Sequence, residues 1–432
     1  MTSGNVLDYE SPQRPERPKG ALATIFFIVF TDLLGFGIII PLLPFYAKNF
    51  QALPLQVTVL FSLYSICQFA AAPILGAISD RYGRRPVLVF SQLGSVAGYL
   101  LLGVVTASHG LRPHTSLMLI YLSRIIDGLS GGNISTAQAY VTDVTAPSER
   151  AKGMGVLGAA FGVGFAAGPA LGGVLGHYNP AWPAFVAAAF SFTAMLMTAT
   201  RLKEARVHEE VEAEAWLHPR RFVPVLRNGT VVQLVLISFI SMIAFSMLES
   251  ISALYFSEPS VFGWKELGVG LYFGFIGLNI VIVQGGLIGR LSKRFGEWPL
   301  AITGAAFYAL GMVSMVAVGY RPLLAILLPG AVLSACGRSL QMPSLYALIS
   351  RKSDPRQQGV VFGLNQGMSS LARVAGPAIA GVIYTHAITG PYALAGAIMI
   401  LAGLWTAGMA MSAGPDTANA VDDPRFEVGA AE

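Results

Sequence analysis

Twelve apolar stretches, each about as long as a bilayer is thick, leave this 432-residue chain one economical way to fold. A helix needs about 20 apolar residues to cross the hydrocarbon core, and in lipid the backbone must satisfy its own hydrogen bonds. The candidate spans are residues 22–46, 58–78, 86–107, 116–138, 153–177, 182–200, 229–256, 267–290, 299–319, 323–349, 359–384 and 391–411. The chain is 54% hydrophobic and only 12% charged, whereas soluble domains carry about 25% charged residues. The expected fold is an all-α membrane protein, with twelve transmembrane helices in two pseudo-symmetric six-helix halves.

A polar loop supports the duplication. GAISDRYGRRP, from Gly76 to Pro86, returns in altered form as GRLSKRFGEWP, from Gly289 to Pro299. One such loop falls in each half, as expected of a duplicated multi-pass protein. The division predicted is a tail over 1–21, a six-helix bundle over 22–200, a linker over 201–228, a second bundle over 229–411 and a tail over 412–432. Within the linker, VHEEVEAEAWLH reads as a short acidic helix.

Loop cations set the orientation. Arginines and lysines crowd the side that holds both tails, the linker and both copies of the repeated loop. The opposite side holds Lys48, Arg112, Lys265 and Arg321. This bias predicts both termini in the cytoplasm. The net charge of +5 therefore reads as topology rather than nucleic-acid binding. The first twenty residues are polar and proline-rich, so no cleavable leader is expected. A composition rich in Ala and Gly, with two cysteines, points to a bacterial inner membrane.

Ionisable groups inside spans are the functional signal. A charge at a helix centre costs about 2.5–3.5 kcal/mol on insertion scales. Here the spans contain Asp32, Arg124, Asp127, Glu249, Arg338 and Arg373. All six are expected to face the bundle or an aqueous cavity. Asp32, about ten residues into the first span, suits a proton carrier, because a carboxylate sheltered from bulk water can exchange protons near neutrality. It equally suits a fixed partner for Arg124, or a gate. Arg124 and Asp127, three residues apart, are neighbours on one helical face and can neutralise each other. Glu249 is read as a second proton site, a cation anchor or an ion-pair partner for an arginine.

Further polar and aromatic residues are candidates for lining a substrate cavity: Phe36, Tyr64, Gln68, Asn133, Gln138, Phe245, Asn279, Arg338, Gln341, Asn365 and Arg373. Asn365, Ser369 and Arg373 stand at i, i+4 and i+8 and make one polar stripe. Interhelical hydrogen bonding is the alternative for each.

Gating is expected at two places. In the first loop, Gly76, Asp80, Arg81, Gly83, Arg84 and Arg85 combine a tight turn with charge. Asp80 suits docking against the positive end of the eleventh span, and the arginines suit acids, lipid phosphates or plain topology signalling. In the fifth span, Gly164, Gly168, Pro169, Gly172 and Gly173 permit close packing and a bend.

These motifs resemble the major facilitator superfamily. Gly76-x-x-x-Asp80-Arg81-x-Gly83-Arg84-Arg85 is similar to its loop signature between helices 2 and 3. Arg124 with Gly128 is similar to its helix-4 signature, and Gly164-x-x-x-Gly168-Pro169-x-x-Gly172-Gly173 to its antiporter signature. Gly376-Pro377 with Gly381 echoes the last of these. TDLLGFGIIIPLLP resembles the tetracycline-exporter branch of drug:proton antiporters. That branch carries acids where Gly98 and Tyr308 align, so the resemblance implies the branch and not the drug.

The resemblance implies proton-coupled export of a small amphipathic or drug-like compound by alternating access, with Arg124 sensing the protonation of Asp32. The alternatives are a proton-coupled importer or metabolite exchanger of the same fold, and a non-transporting membrane sensor or scaffold. No enzyme is expected. The histidines fall at the outer ends of the spans and in the linker rather than in span interiors, and neither a metal-ligand spacing nor a phosphate-binding loop is expected. The expected partners are a small-molecule substrate, protons and the lipid bilayer, without nucleic acid, cofactor or metal, and the expected working form is a monomer driven by the proton gradient.

Overall fold

The computed structural model describes residues 21–108, 110–131, 133–145, 150–204, 223–354 and 357–412. Most of the linker and both tails lie outside these residues, as does the acidic helix expected in the linker.

Helices follow the apolar runs, and proline, glycine and a few caps set their ends. α1 (Ala21–Ile39) stops before Pro41, which has no N–H to donate and disfavours helical backbone at Ile40. The chain resumes as α2 (Leu43–Asn49), with Pro44 in the first turn, so the first expected span is helix, turn and helix. α3 (Pro54–Tyr82) starts on a proline, and the Leu53 N–H donates to Gln56 Oε1 at 2.8 Å. Gly83, at φ +99°, turns the chain into α4 (Arg84–Ala107). In the second copy of the loop, Gly296 does the same at φ +76°. Only glycine takes such backbone readily.

The fourth expected span is broken. α5 (Pro113–Ser130) ends at Gly131, and α6 (Asn133–Val144) follows. The helical run that apolar content alone would carry through to 138 ends at Gly131. α7 (Arg150–Tyr178) and α8 (Trp182–Arg201) complete this part of the chain, and the short α9 (Val223–Arg227) precedes the second set. α10 (Gly229–Ser257) is capped by Asn228, whose side chain accepts the Val231 N–H at 3.2 Å. α11 (Glu266–Ile282) runs through one π-helical turn, Val283–Leu287, into α12 (Ile288–Phe295). α13 (Glu297–Tyr320), α14 (Leu324–Lys352), α15 (Gln358–Tyr384) and α16 (Gly390–Ser412) follow.

Among the described residues, nine helical stretches are long and apolar enough to cross a membrane. α7 and α15, at 29 and 27 residues, have the length as well, and α5 with α6 fills the remaining expected place. The polarity is inside-out. On α4, Phe90, Leu93, Leu100 and Val104 are exposed, as lipid contact requires, whereas Ser91, Gln92, Ser95 and Tyr99 are buried.

Packing falls into two sets, α1–α8 and α10–α16, which meet along α3 with α15 and α7 with α11. On α7, Gly164, Gly168 and Gly172 lie against α1, and Gly173 lies against α11. A Cβ on Gly168 would stand 2.8 Å from the Gly37 Cα, and one on Gly173 would stand 2.7 Å from the Gly270 Cα. Pro169 lies within this stretch of α7.

One end of the bundle is closed by polar bonds between the two sets. Lys48 Nζ, on α2, is 3.0 Å from Ser257 Oγ and 3.4 Å from Glu258 Oε1 at the end of α10. The Tyr384 hydroxyl of α15 donates to the same Glu258 oxygen at 3.3 Å. Towards the other end, Phe69, Pro73 and Ile74 of α3 and Gln284 to Leu287 beside α11 are exposed.

Candidate functional site

Between the two sets lies a cavity of about 340 Å³. Asp32, Arg124, Asp127, Glu249, Arg338 and Arg373 all line it. They come from five helices: α1 gives Asp32, α5 Arg124 and Asp127, α10 Glu249, α14 Arg338 and α15 Arg373. Six charges scattered through the sequence therefore share one cavity.

Arg124 and Asp127 are 3% and 2% exposed, and Arg124 Nη1 donates to Asp127 Oδ2 at 3.3 Å. One helical turn supplies both partners, so the expected mutual neutralisation is present. The Arg124 guanidinium also stands 5.7 Å from the centroid of the Tyr99 ring. Ser95 and Tyr99 of α4 present their hydroxyls to Asp127. α4 and α5 approach closely here because residue 98 is glycine: a Cβ there would lie 3.2 Å from that of Asp127. At the other position where the resembled branch carries an acid, the buried Tyr308 hydroxyl donates to the Ala244 carbonyl at 3.5 Å.

Glu249 forms no ion pair within 4 Å among the described residues, and the cations whose fields reach it are Arg338 and Arg373. The Arg338 guanidinium carbon stands over Phe245, 3.1 Å from the ring centroid. Tyr64, on α3, lines the same cavity and lies within the fields of Asp32, Asp127, Arg124 and Arg373. Phe36 packs on Tyr64 at 5.1 Å and on Phe165 at 6.0 Å between ring centroids.

Of the expected lining residues, Phe36, Tyr64, Gln68, Phe245, Arg338 and Arg373 reach the cavity. Gln68 donates to the Gly131 carbonyl at 2.9 Å, where α5 ends. The others are placed elsewhere. Gln138 is exposed on α6. Asn279 donates to the Phe275 carbonyl at 2.8 Å, and buried Gln341 donates to Ser241 Oγ at 3.1 Å. Asn365 and Ser369 are buried outside the lining, so the stripe on α15 presents only Arg373 to the cavity. Asn133 lies on α6, and its side chain is outside the described residues.

Sequence reasoning missed Ser95 and Tyr99, together with Phe61, Ser65, Phe165 and Ser246. A signal existed: Ser91, Ser95 and Tyr99 repeat at i, i+4 and i+8 on α4, the same spacing that marked α15.

The first repeated loop lies at the end opposite Lys48. Asp80 Oδ1 stands 2.5 Å from Arg84 Nη2 rather than on the start of α15. Arg84 Nε is 3.0 Å from Asp143 Oδ2 on α6, and its Nη1 donates to Ser79 Oγ at 2.6 Å. Glu204, just after α8, accepts the Arg84 N–H at 2.7 Å and packs on Gly83. Arg85 donates to the Ala199 carbonyl, Arg81 is exposed beside the Tyr82 ring, and Gly76 accepts from Ser79. All these bonds stay within the first set of helices. Among the described residues, no group of three or more His, Cys, Asp and Glu is placed to hold a metal ion.

The family profile described as Major Facilitator Superfamily matches residues 25–377 and 287–427. The chain is 32% identical over 376 residues to the class C tetracycline resistance protein of Escherichia coli, spanning 85% of this chain and 90% of that one. It is 29% identical to multidrug resistance protein 2 of Bacillus subtilis, over 88% of this chain and 93% of that one. Among solved structures it superposes on the human organic anion transporter TETRAN with a TM-score of 0.65. That match spans 90% of this chain and 99% of the other at 24% identity. The relatives are transporters rather than enzymes, and the helices, the shared cavity and the profile match agree: the chain belongs to the major facilitator superfamily.

Proposed function

We propose that this chain exports a small amphipathic, drug-like compound in exchange for protons, as a monomer in a bacterial inner membrane. The halves 22–200 and 229–411 rock about the cavity, and the linker 201–228 tethers them. Both termini and the Arg84 end face the cytoplasm, so this conformation opens inward and is shut at the Lys48 end.

One observation carries the reading: Asp32, Asp127 and Glu249 line a single cavity between two packed sets of helices. Carboxylates so sheltered can exchange a proton with whichever side has access. Asp32 is the first candidate carrier, Arg124 its sensor, and Glu249 and Asp127 the further sites. One proton crossing 100 mV supplies about 2.3 kcal/mol, enough for a roughly fiftyfold substrate gradient at one-to-one exchange. Likeness to tetracycline and multidrug resistance proteins favours export over import.

The test is growth on tetracycline and ethidium with and without the expressed chain, beside dye efflux from energised cells. Export predicts protection by wild type and its loss in Asp32→Asn at equal expression. Accumulation that instead rises with the chain and with external acidity would establish import.

A further inference from the structure

The second set of helices carries a cleft of its own, away from the central cavity. It holds about 370 Å³ and is lined by Thr230 and Gln233 of α10, Trp298 of α13, Lys352 of α14, and Trp405 and Ser412 of α16. It lies at the end of α10 opposite Glu258. Asn228 Nδ2 donates to the Lys352 carbonyl at 3.0 Å and ties the end of α14 to the start of α10. Trp298 and Trp405 pack on the apolar cluster that holds Val231, Leu345 and Ala402.

The polar side of the cleft suits an anion. Arg351 is held by Glu297 at 2.8 Å, but among the described residues no carboxylate lies within 4 Å of its neighbour Lys352. Trp405 Nε1 donates to Gln233 Oε1 at 3.1 Å. An indole N–H only donates, so the Gln233 oxygen is engaged and its NH2 group remains as a donor. A cation, an amide donor and the Thr230 hydroxyl therefore line one space that holds no acid. The other side is apolar. Leu401 and Leu404 stand one turn before Trp405 and Gly408 on α16, and are 57% and 67% exposed. From the helix ends inward, the order is cation and donors, then indoles, then bare leucine, which matches the layers of a lipid.

We propose that this cleft binds one anionic glycerophospholipid, its phosphate on Lys352, Gln233 and Thr230 and an acyl chain along Leu401 and Leu404. All four helices belong to the second set. The lipid therefore braces that set without bridging to the first, and it need not leave when the sets move against each other. Neither export nor proton exchange is required for this.

Tryptophan fluorescence reads occupancy, because bromine on an acyl chain quenches an indole beside it. The full chain is reconstituted in phosphatidylcholine vesicles with a minor share of phosphatidylglycerol or phosphatidylcholine brominated close to the glycerol. Wild type is expected to be quenched at roughly fivefold lower content of the anionic lipid, the worth of one lysine at an anionic lipid surface. Trp405→Phe should remove most of that difference and so locate it. Lys352→Arg should keep it, and Lys352→Gln should bring the two lipids to within about twofold. Lys293→Gln neutralises an exposed cation of α12 and should change nothing. Equal quenching of wild type by the two lipids overturns the site. So does a preference that survives in Trp405→Phe, or an equal loss in Lys293→Gln and Lys352→Gln, which would mark a general surface field. Displacement by water-soluble glycerol phosphate would assign the cleft to a free anion and overturn the lipid. Should a variant fail to fold, the wild-type ranking and the glycerol phosphate competition decide.

Discussion

Glu297 holds Arg351 at 2.8 Å from the position that Arg84 occupies in the first copy of the repeated loop. Arg84 meets Asp80 and Asp143, so the two copies use opposite charges at equivalent places. Both loops turn on a glycine at positive φ, and both bring their serine, Ser79 or Ser292, to the charged side chain. The backbone device was retained while its electrostatics inverted.

The two loops should differ in their energetic weight. The Arg84 and Asp143 side chains are 10% and 13% exposed, whereas Arg351 is 51% exposed. Arg84→Gln leaves a shielded acid without its cation and should cost about 1–3 kcal/mol. Glu297→Gln should cost at most about 1 kcal/mol, because solvent screens Arg351. Equilibrium unfolding in mixed detergent, followed by tryptophan fluorescence, separates the two.

Lys48, Glu258 and Tyr384 join α2, α10 and α15 at the closed end, so they oppose opening there. Glu258→Gln should enlarge the population open at that end. Spin labels at Gln51 and Ala387 should show a longer-distance component by double electron–electron resonance. The exchanged pair Lys48→Glu with Glu258→Lys should reduce it again.

Close approach of α7 and α11 depends on glycine. A Cβ at Gly270 would lie 2.7 Å from the Pro169 carbonyl oxygen, whereas one at Gly162 meets nothing nearer than 3.8 Å. Gly270→Val should therefore abolish export and cost about 2 kcal/mol or more through overpacking. Gly162→Ala should retain both stability and export. Unfolding and efflux measured on the pair check this.

Asp127→Asn leaves the Arg124 charge buried and should cost about 3–5 kcal/mol. The double variant Arg124→Gln with Asp127→Asn should recover part of that loss. A double-mutant cycle measures the coupling. Restored stability without restored proton exchange would assign the pair a transport role beyond packing.

Much of this was legible in the sequence because lipid imposes one strong rule. Apolar runs had to be helices, and charges within them had to avoid lipid, which brought all six to the cavity. The breaks at Pro41 and Gly131 interrupt runs that hydropathy averages over. The π turn beside α11 leaves no hydropathy signature at all. Polar residues were harder to place, because an amide reads the same whether it faces a cavity or bonds a neighbouring helix. Gln68 did both, Gln341 bonded Ser241, and Asn279 bonded its own helix. Tyr99 was missed because an aromatic on an apolar helix resembles ordinary core until its neighbour Asp127 is seen.

Proton movement linked to substrate through Asp32 is the central claim. The direct measurement uses sealed vesicles holding purified chain and the pH-sensitive dye pyranine, to which tetracycline or ethidium is added under an imposed pH step. Substrate should open a proton flux opposite to its own movement in wild type, and Asp32→Asn should bind the substrate but move no protons. Substrate transport that proceeds at the wild-type rate in Asp32→Asn, or without any proton flux in wild type, would contradict it.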